Sequence, residues 1–289
     1  MKGTEGFLRL FLLALSSLSL VVAYKPVVLI HGVMTGKLSM IPIAERIAQL
    51  HPGTSVYITD RFSGWSSLEP MWRQVDEMGA DLLSISADHP EGVNLIGYSQ
   101  GGLLSRAILG KFPEHNVHTF ISLSSPQGGQ YGTKFLHLFF PNLTCRNAYE
   151  LFYSYVGQHT SVGNYWNDPH HQELFFKYSQ FLPYINNQLQ SNSSRDYKKG
   201  FTKLKKLVLV GGPDDGVITP WQSSQFGYYN DNEEVFGMRE NPLYKNDSFG
   251  LQTLDKAGKV TLLSFDGMDH YSWHINTSFI DTHIVPLLD

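Results

Sequence analysis

Ser99 stands in Gly97-Tyr98-Ser99-Gln100-Gly101, directly after the apolar run Val93 to Ile96 and before the helical stretch that begins Gly102-Leu103-Leu104. A strand before it and a helix after it would hold the serine on a sharp turn with its hydroxyl exposed. The flanking glycines let neighbouring backbone pass without Cβ clashes. The N-terminus of the following helix turns free N–H groups toward any negative charge that develops there. The alternative is a glycine-rich turn with an incidental serine, and the strand–turn–helix context argues against it. A serine hydroxyl is a poor nucleophile until a base removes its proton. A histidine, and a carboxylate to orient that histidine, should therefore lie elsewhere in the chain.

Architectures with this turn run their triad in the order Ser, Asp/Glu, His. His115, His118, His137, His159 and His170 come too early, which leaves His270, His274 and His283. His270, in Asp266-Gly267-Met268-Asp269-His270, falls on the loop after the last apolar strand. His274 and His283 fall within an expected closing helix. For the acid, the strand Leu207 to Gly212 leads into Pro213-Asp214-Asp215-Gly216-Val217-Ile218. A carboxylate there can hold the histidine in the required tautomer. Position alone does not separate Asp214 from Asp215; the Asp-x-x-Val spacing usual in this architecture selects Asp215. Asp60, ending the second apolar strand, is a distant alternative. Two backbone N–H groups should receive the oxyanion, that of Gln100 after the nucleophile and that of Val33 in His31-Gly32-Val33 after the first strand. His31 itself is expected to be structural. His170 and His171 with Asp168 could suggest a metal, but adjacent histidines point in different directions, so a structural reading is preferred. No Gly-rich phosphate cradle or dinucleotide fingerprint is present, and no cofactor is implied.

The elements that must position these residues are short and regular. Strands are predicted at Pro26–Ile30, Ser55–Thr59, Val93–Gly97, His118–Leu123, Leu207–Val210 and Val260–Phe265. Helices are predicted at Met40–Leu50, Met71–Ile85, Gln100–Leu109 and His274–Leu288. Continuous apolar strands alternating with helices indicate an α/β fold with a mostly parallel central sheet covered on both faces, of the α/β-hydrolase kind. Residues 24–289 read as a single domain. From about 127 to 200 the rhythm stops, in a segment rich in aromatic residues, among them Phe139, Phe140, Phe152, Tyr155, Trp166, Phe175 and Phe181. It is expected to be a largely helical insertion over the active site. Its aromatic side chains form either a satellite core or the wall of an apolar substrate groove.

The whole chain narrows the function further. With 289 residues and 42% hydrophobic content, it can bury one substantial core. A formal charge of −4 gives no basic surface on average, so nucleic acid is not an expected partner. Residues 1–23 are not expected to belong to the fold. Lys2 and Arg9 precede an apolar stretch from Leu10 to Val22, and Ala23 offers a cleavage point before Tyr24. This is the layout of a secretory signal peptide, too short for a stable membrane span. Sequons at Asn142, Asn192, Asn246 and Asn276 are then expected to carry surface glycans. The single cysteine, Cys145, excludes an intramolecular disulfide; a buried or glycan-shielded thiol is expected.

Several runs together resemble one family. Tyr24 to Gly32 (YKPVVLIHG), Gly97 to Gly102 (GYSQGG) and Ile121 to Gln127 (ISLSSPQ) resemble the palmitoyl-protein thioesterases. Asn164 to His171 (NYWNDPHH) and Gly211 to Ser224 (GGPDDGVITPWQSS) are similar to its second-type, lysosomal branch. The resemblance spans nearly all of the chain after residue 23. It implies a triad at Ser99, Asp215 and His270, oxyanion donors at Val33 and Gln100, and no metal or cofactor. It also implies hydrolysis of long-chain S-acyl thioesters in the lysosome, or failing that outside the cell. The fatty acyl thioester substrate rests on this resemblance, because the triad alone would also suit a lipase or carboxylesterase on oxygen esters. A catalytically silent lipid-binding protein is the reading from another class. The lone cysteine departs from animal members of the family, which usually carry several.

Overall fold

The computed structural model describes residues 24–137, 144–190 and 197–288. The expectations at residues 1–23, at Phe139, Phe140, Asn142 and Asn192, and at the side chain of Cys145 lie outside the described part.

Six strands form one parallel sheet: β1 (Val27–Ile30), β2 (Val56–Ile58), β3 (Val93–Tyr98), β4 (Val117–Leu123), β5 (Lys206–Gly211) and β8 (Val260–Ser264), in the order β2-β1-β3-β4-β5-β8. A small antiparallel pair, β6 (Tyr228–Tyr229) and β7 (Val235–Phe236), stands apart. The sheet strands match the six apolar runs read from the sequence. Alternate side chains go to opposite faces, as a strand requires. Val28, Ile30, Val93, Leu95, Phe120 and Leu207 enter one core, with helices α2 (Met71–Asp88) and α3 (Gln100–Lys111). Val27, Leu29, Ile96, Tyr98, Ile121 and Val208 enter the other, with helix α1 (Ile41–Leu50) and the C-terminal segment.

The expected closing helix from His274 to Leu288 is not continuous. It is broken into short turns at Ser272–Ile275, Thr277–Phe279, Ile280–Ile284 and Val285–Leu287. Asn276 takes an extended ψ of 102° and its side chain accepts the N–H of Phe279, so it restarts the helix instead of continuing it. Pro286 then withholds an N–H in the last turns.

The segment after β4 carries short helices, including Cys145–Phe152, Ser161–Tyr165, Gln172–Tyr178 and Leu182–Ile185. Among the described residues, half of its aromatic side chains are core. Phe152, Tyr165, Trp166, Phe175 and Phe181 are buried in the same cluster as α2 and α3. Tyr155 is an exception, 78% exposed. Side-chain bonds tie the segment to α2: Met71 N–H donates to Asn164 Oδ1 (2.9 Å) and Trp72 Nε1 to Gln180 O (2.7 Å).

Candidate active site

Ser99, Gln100, Val33, Asp215 and His270 sit beyond the carboxyl ends of parallel strands, where open α/β sheets hold their ligands. Ser99 follows β3, the Val33 turn follows β1, Asp215 follows β5 and His270 follows β8. β1 lies between β2 and β3, so the chain reverses its direction of travel across the sheet there, and Ile30 pairs with Gly97. That register sets the Val33 turn beside Ser99. Ladder bonds past the strand ends keep the loops level: Ser99 N–H donates to Leu123 O (2.9 Å) and Ser124 N–H to Val210 O (2.8 Å).

The turn at Ser99 is strained in the way its sequence demands. Ser99 has φ 53° and ψ −126°, outside the regions favoured by residues with a Cβ. Its glycine neighbours are needed for close approach. A Cβ on Gly97 would lie 2.5 Å from Gly102 Cα, and one on Gly101 2.3 Å from Ile30 O. Gly32 approaches from β1, and a Cβ there would meet Ser99 Cβ at 3.0 Å.

The structure brings three of the named side chains into a single line. Ser99 Oγ is 2.9 Å from His270 Nε2, and His270 Nδ1 is 2.9 Å from Asp215 Oδ2. All three residues are buried. A carboxylate only accepts, so Nδ1 carries the imidazole proton and Nε2 presents its lone pair to the serine hydroxyl. Burial alone would raise the pKa of Asp215. The hydrogen bond and charge of His270, the Ser124 hydroxyl and the Ile218 N–H outweigh it and hold the carboxyl below its ordinary value. Gln100 is the first residue of α3, where its N–H has no carbonyl a turn earlier to bond.

The alternatives fall elsewhere. Asp214 is exposed and its Oδ2 accepts the N–H of Gly267 (2.7 Å), which braces the His270 loop from outside. Asp60 is exposed, beyond the short edge strand β2. His274 is buried with its ring 4.2 Å from that of Tyr98, and His283 packs on Phe265 at 4.5 Å. Burial, with a smaller contribution from the charge of His270, pushes His274 down to about 4. The ring nitrogens of His31 lie 2.8 Å from Gly32 O and 3.0 Å from Arg61 O, a placement within the loop. His170 and His171 turn to different partners, Glu233 and Asp168 respectively. Asn246 and Asn276 are both exposed.

Three further side chains meet at the site, Tyr98 and Ser124 within the sequence runs GYSQGG and ISLSSPQ and Trp273 outside them. Ser124 Oγ and Trp273 Nε1 both donate to Asp215 Oδ2, at 2.5 and 2.7 Å. Tyr98 donates its hydroxyl to His270 O at 3.0 Å. Ser124, at the end of β4 between β3 and β5, could have been sought from its position facing both loops. Trp273 offered no such signal, and nothing in the run Gly97–Gly101 points the Tyr98 hydroxyl at His270 O.

A family model described as palmitoyl protein thioesterase matches residues 26–270. The chain belongs to the palmitoyl protein thioesterase family. It is 53% identical over 278 residues to a protein of Drosophila melanogaster named lysosomal thioesterase PPT2 homolog, covering 96% of both chains. It is 46% identical over 267 residues to lysosomal thioesterase PPT2 of Homo sapiens, covering 92% of this chain and 88% of that one. Among solved structures, a monoacylglycerol lipase of Paleococcus ferrophilus superposes with a TM-score of 0.51 at 15% identity, over 92% of this chain and 95% of the other. That likeness is one of α/β-hydrolase fold.

Proposed function

We propose that this family member is a serine thioesterase that hydrolyses long-chain S-acyl thioesters, palmitoyl-CoA or S-palmitoylated cysteine, through an acyl-Ser99 intermediate. The observation that carries the mechanism is the continuous Ser99–His270–Asp215 line at 2.9 Å per step. Family membership carries the thioester. Ser99 Oγ attacks the thioester carbonyl carbon while His270 Nε2 takes the hydroxyl proton. The carbonyl oxygen becomes an oxyanion facing the N–H groups of Gln100 and Val33, and Asp215 stabilises the imidazolium. The C–S bond then breaks, His270 returns the proton to sulfur and the thiol leaves. Water, deprotonated by His270, attacks the acyl-serine; the C–Oγ bond then breaks, His270 returns the proton to Ser99 Oγ and the fatty acid leaves. A thiol of pKa about 8.5 needs less protonation to depart than an alkoxide does.

The relatives' names support a lysosomal site of action. Among the described residues no helix is long and apolar enough to cross a membrane. Removal of residues 1–23 as a signal peptide, and glycans at Asn142, Asn192, Asn246 and Asn276, complete the reading; the exposure of Asn246 and Asn276 supports two of the four.

The test is palmitoyl-CoA hydrolysis by the secreted protein against Ser99→Ala, from about pH 4.5 to 8, beside a matched palmitoyl oxygen ester. Loss of thioester turnover in Ser99→Ala is expected. Equal background rates in the two proteins overturn the thioesterase, and turnover of the oxygen ester alone replaces it with a carboxylesterase.

A further inference from the structure

Resting on that reading, we infer that Ser67 is a positioning residue for the oxyanion hole, joining the two segments that supply its donors. Ser67 lies in the 3-10 turn Gly64–Leu68 and is 1% exposed. Its Oγ accepts the N–H of Met34 at 2.7 Å and donates to Gly64 O. Met34 immediately follows Val33, and its φ of 56° is one that a residue with a side chain keeps only when neighbouring bonds hold it. On its other side, the Ser67 carbonyl accepts Gln100 Nε2 at 2.8 Å. Gln74 Nε2 donates to the same carbonyl at 2.9 Å and to Glu69 O at 2.6 Å, which anchors the turn to α2. Gly64 N–H also donates to Thr35 O at 2.7 Å, a second tie to the loop after β1.

One buried residue therefore touches the backbone next to Val33 and the side chain of Gln100. The β1–β3 register and the close approach of Gly32 and Gly101 bring the two donor segments together, and the Ser67 bonds hold the Met34 side of the loop in place against the Gln100 side chain. Donors to an oxyanion act through placement made before the charge appears, and a misplacement of about 1 Å costs on the order of a hundredfold in rate. Ser67 contributes nothing to the attacking or leaving atoms. Its effect belongs to the transition state and not to substrate binding.

The experiment compares the wild-type protein with Ser67→Ala, Ser67→Thr, Gln100→Met and Ser99→Ala. Rates with palmitoyl-CoA are measured alongside inhibition by a long-chain alkyl trifluoromethyl ketone, which adds to a serine as a tetrahedral oxyanion, and by a non-hydrolysable palmitoyl thioether. Ser67→Ala is expected to lower kcat roughly 10- to 100-fold with KM within about twofold. It should weaken the ketone by the same factor and leave the thioether unchanged. Ser67→Thr keeps the hydroxyl and should recover most of the rate. Gln100→Met, which removes the bond to the Ser67 carbonyl, should show a smaller loss of the same kind and carries the test where Ser67→Ala does not fold. A folded Ser67→Ala with wild-type kcat, or a rise in KM with kcat unchanged, overturns the brace alone. Undiminished turnover by Ser99→Ala overturns the serine mechanism on which it rests.

Discussion

The carboxylate of Asp215 has almost no water around it, so the groups that donate to it decide both its charge and its direction. His270 Nδ1, Ser124 Oγ and Trp273 Nε1 reach Oδ2, while the N–H groups of Val217 and Ile218 reach Oδ1 at 3.1 and 2.8 Å. Trp273 is fully buried and packs edge-on against Phe279, with ring centroids 5.5 Å apart, so its indole cannot swing away. Trp273→Phe keeps a ring in the same space and removes one donor. The expected loss is about tenfold in kcat with little change in KM. A carboxylate with one donor fewer takes a proton more readily. That moves the acid limb of the kcat/KM profile to higher pH, which a pH–rate series on the two proteins measures. An acid limb that stays in place would mean that Trp273 serves packing alone.

At the scale of elements, the turn between β3 and α3 depends on what cannot be accommodated there. A Cβ on Gly101 would lie 2.3 Å from Ile30 O and 2.5 Å from His31 O, and backbone of a buried strand cannot retreat as a side-chain tip can. Gly101→Ala should cost roughly 3 kcal/mol and the activity with it. At Gly258, with φ 69° and nothing within 4 Å of an added Cβ, the alanine substitution is limited to backbone strain of about 1 kcal/mol. Urea unfolding of both variants tests the contrast. These elements were legible because each strand is a short, mainly apolar run and each candidate residue comes just after one. That placed Ser99 and, with the Ser, Asp/Glu, His order, His270; Asp215 also needed the Asp-x-x-Val spacing to separate it from Asp214. The last helix was misread because Asn276 sits in a sequence of otherwise helical period, and only its bond to Phe279 N–H shows the restart. Ser67, Ser124 and Trp273 were hidden for a different reason. Each acts through a bond to a group 33 or more positions away, and no local pattern records such a partner.

Across the whole molecule, the return of the chain from the inserted segment is sealed at α3 by a histidine that must stay neutral. His115 is fully buried; its Nδ1 accepts Val117 N–H at 3.1 Å, so its proton is on Nε2, which donates to Gly200 O at 3.1 Å. Gly200 itself lies so close that a Cβ there would meet Leu109 O at 1.9 Å. Protonating Nδ1 would remove the acceptor for Val117 and bury a charge. Burial accordingly pushes His115 down to about 4, with nearby Lys203 adding to the shift and the Gly200 bond opposing it. Its folded value lies below the unfolded one, so between about pH 6.5 and 4 the unfolded chain binds the extra proton. Stability then falls as the pH falls, by about 1.4 kcal/mol per unit from this residue in that window. His274, also held down to about 4, acts in the same direction. The stability due to Asp215 is lost only lower, as the pH drops below the ordinary carboxylate value toward its depressed one. A protein working in an acidic compartment would therefore meet that compartment with these histidines still neutral and part of its stability spent. Urea midpoints should decline steadily from about pH 7 to 4.5, and an NMR titration should find the His115 imidazole unprotonated through pH 5. A His115 resonance that titrates near 6.5 would remove one of the two histidine sources of that slope, leaving a shallower decline over the same range.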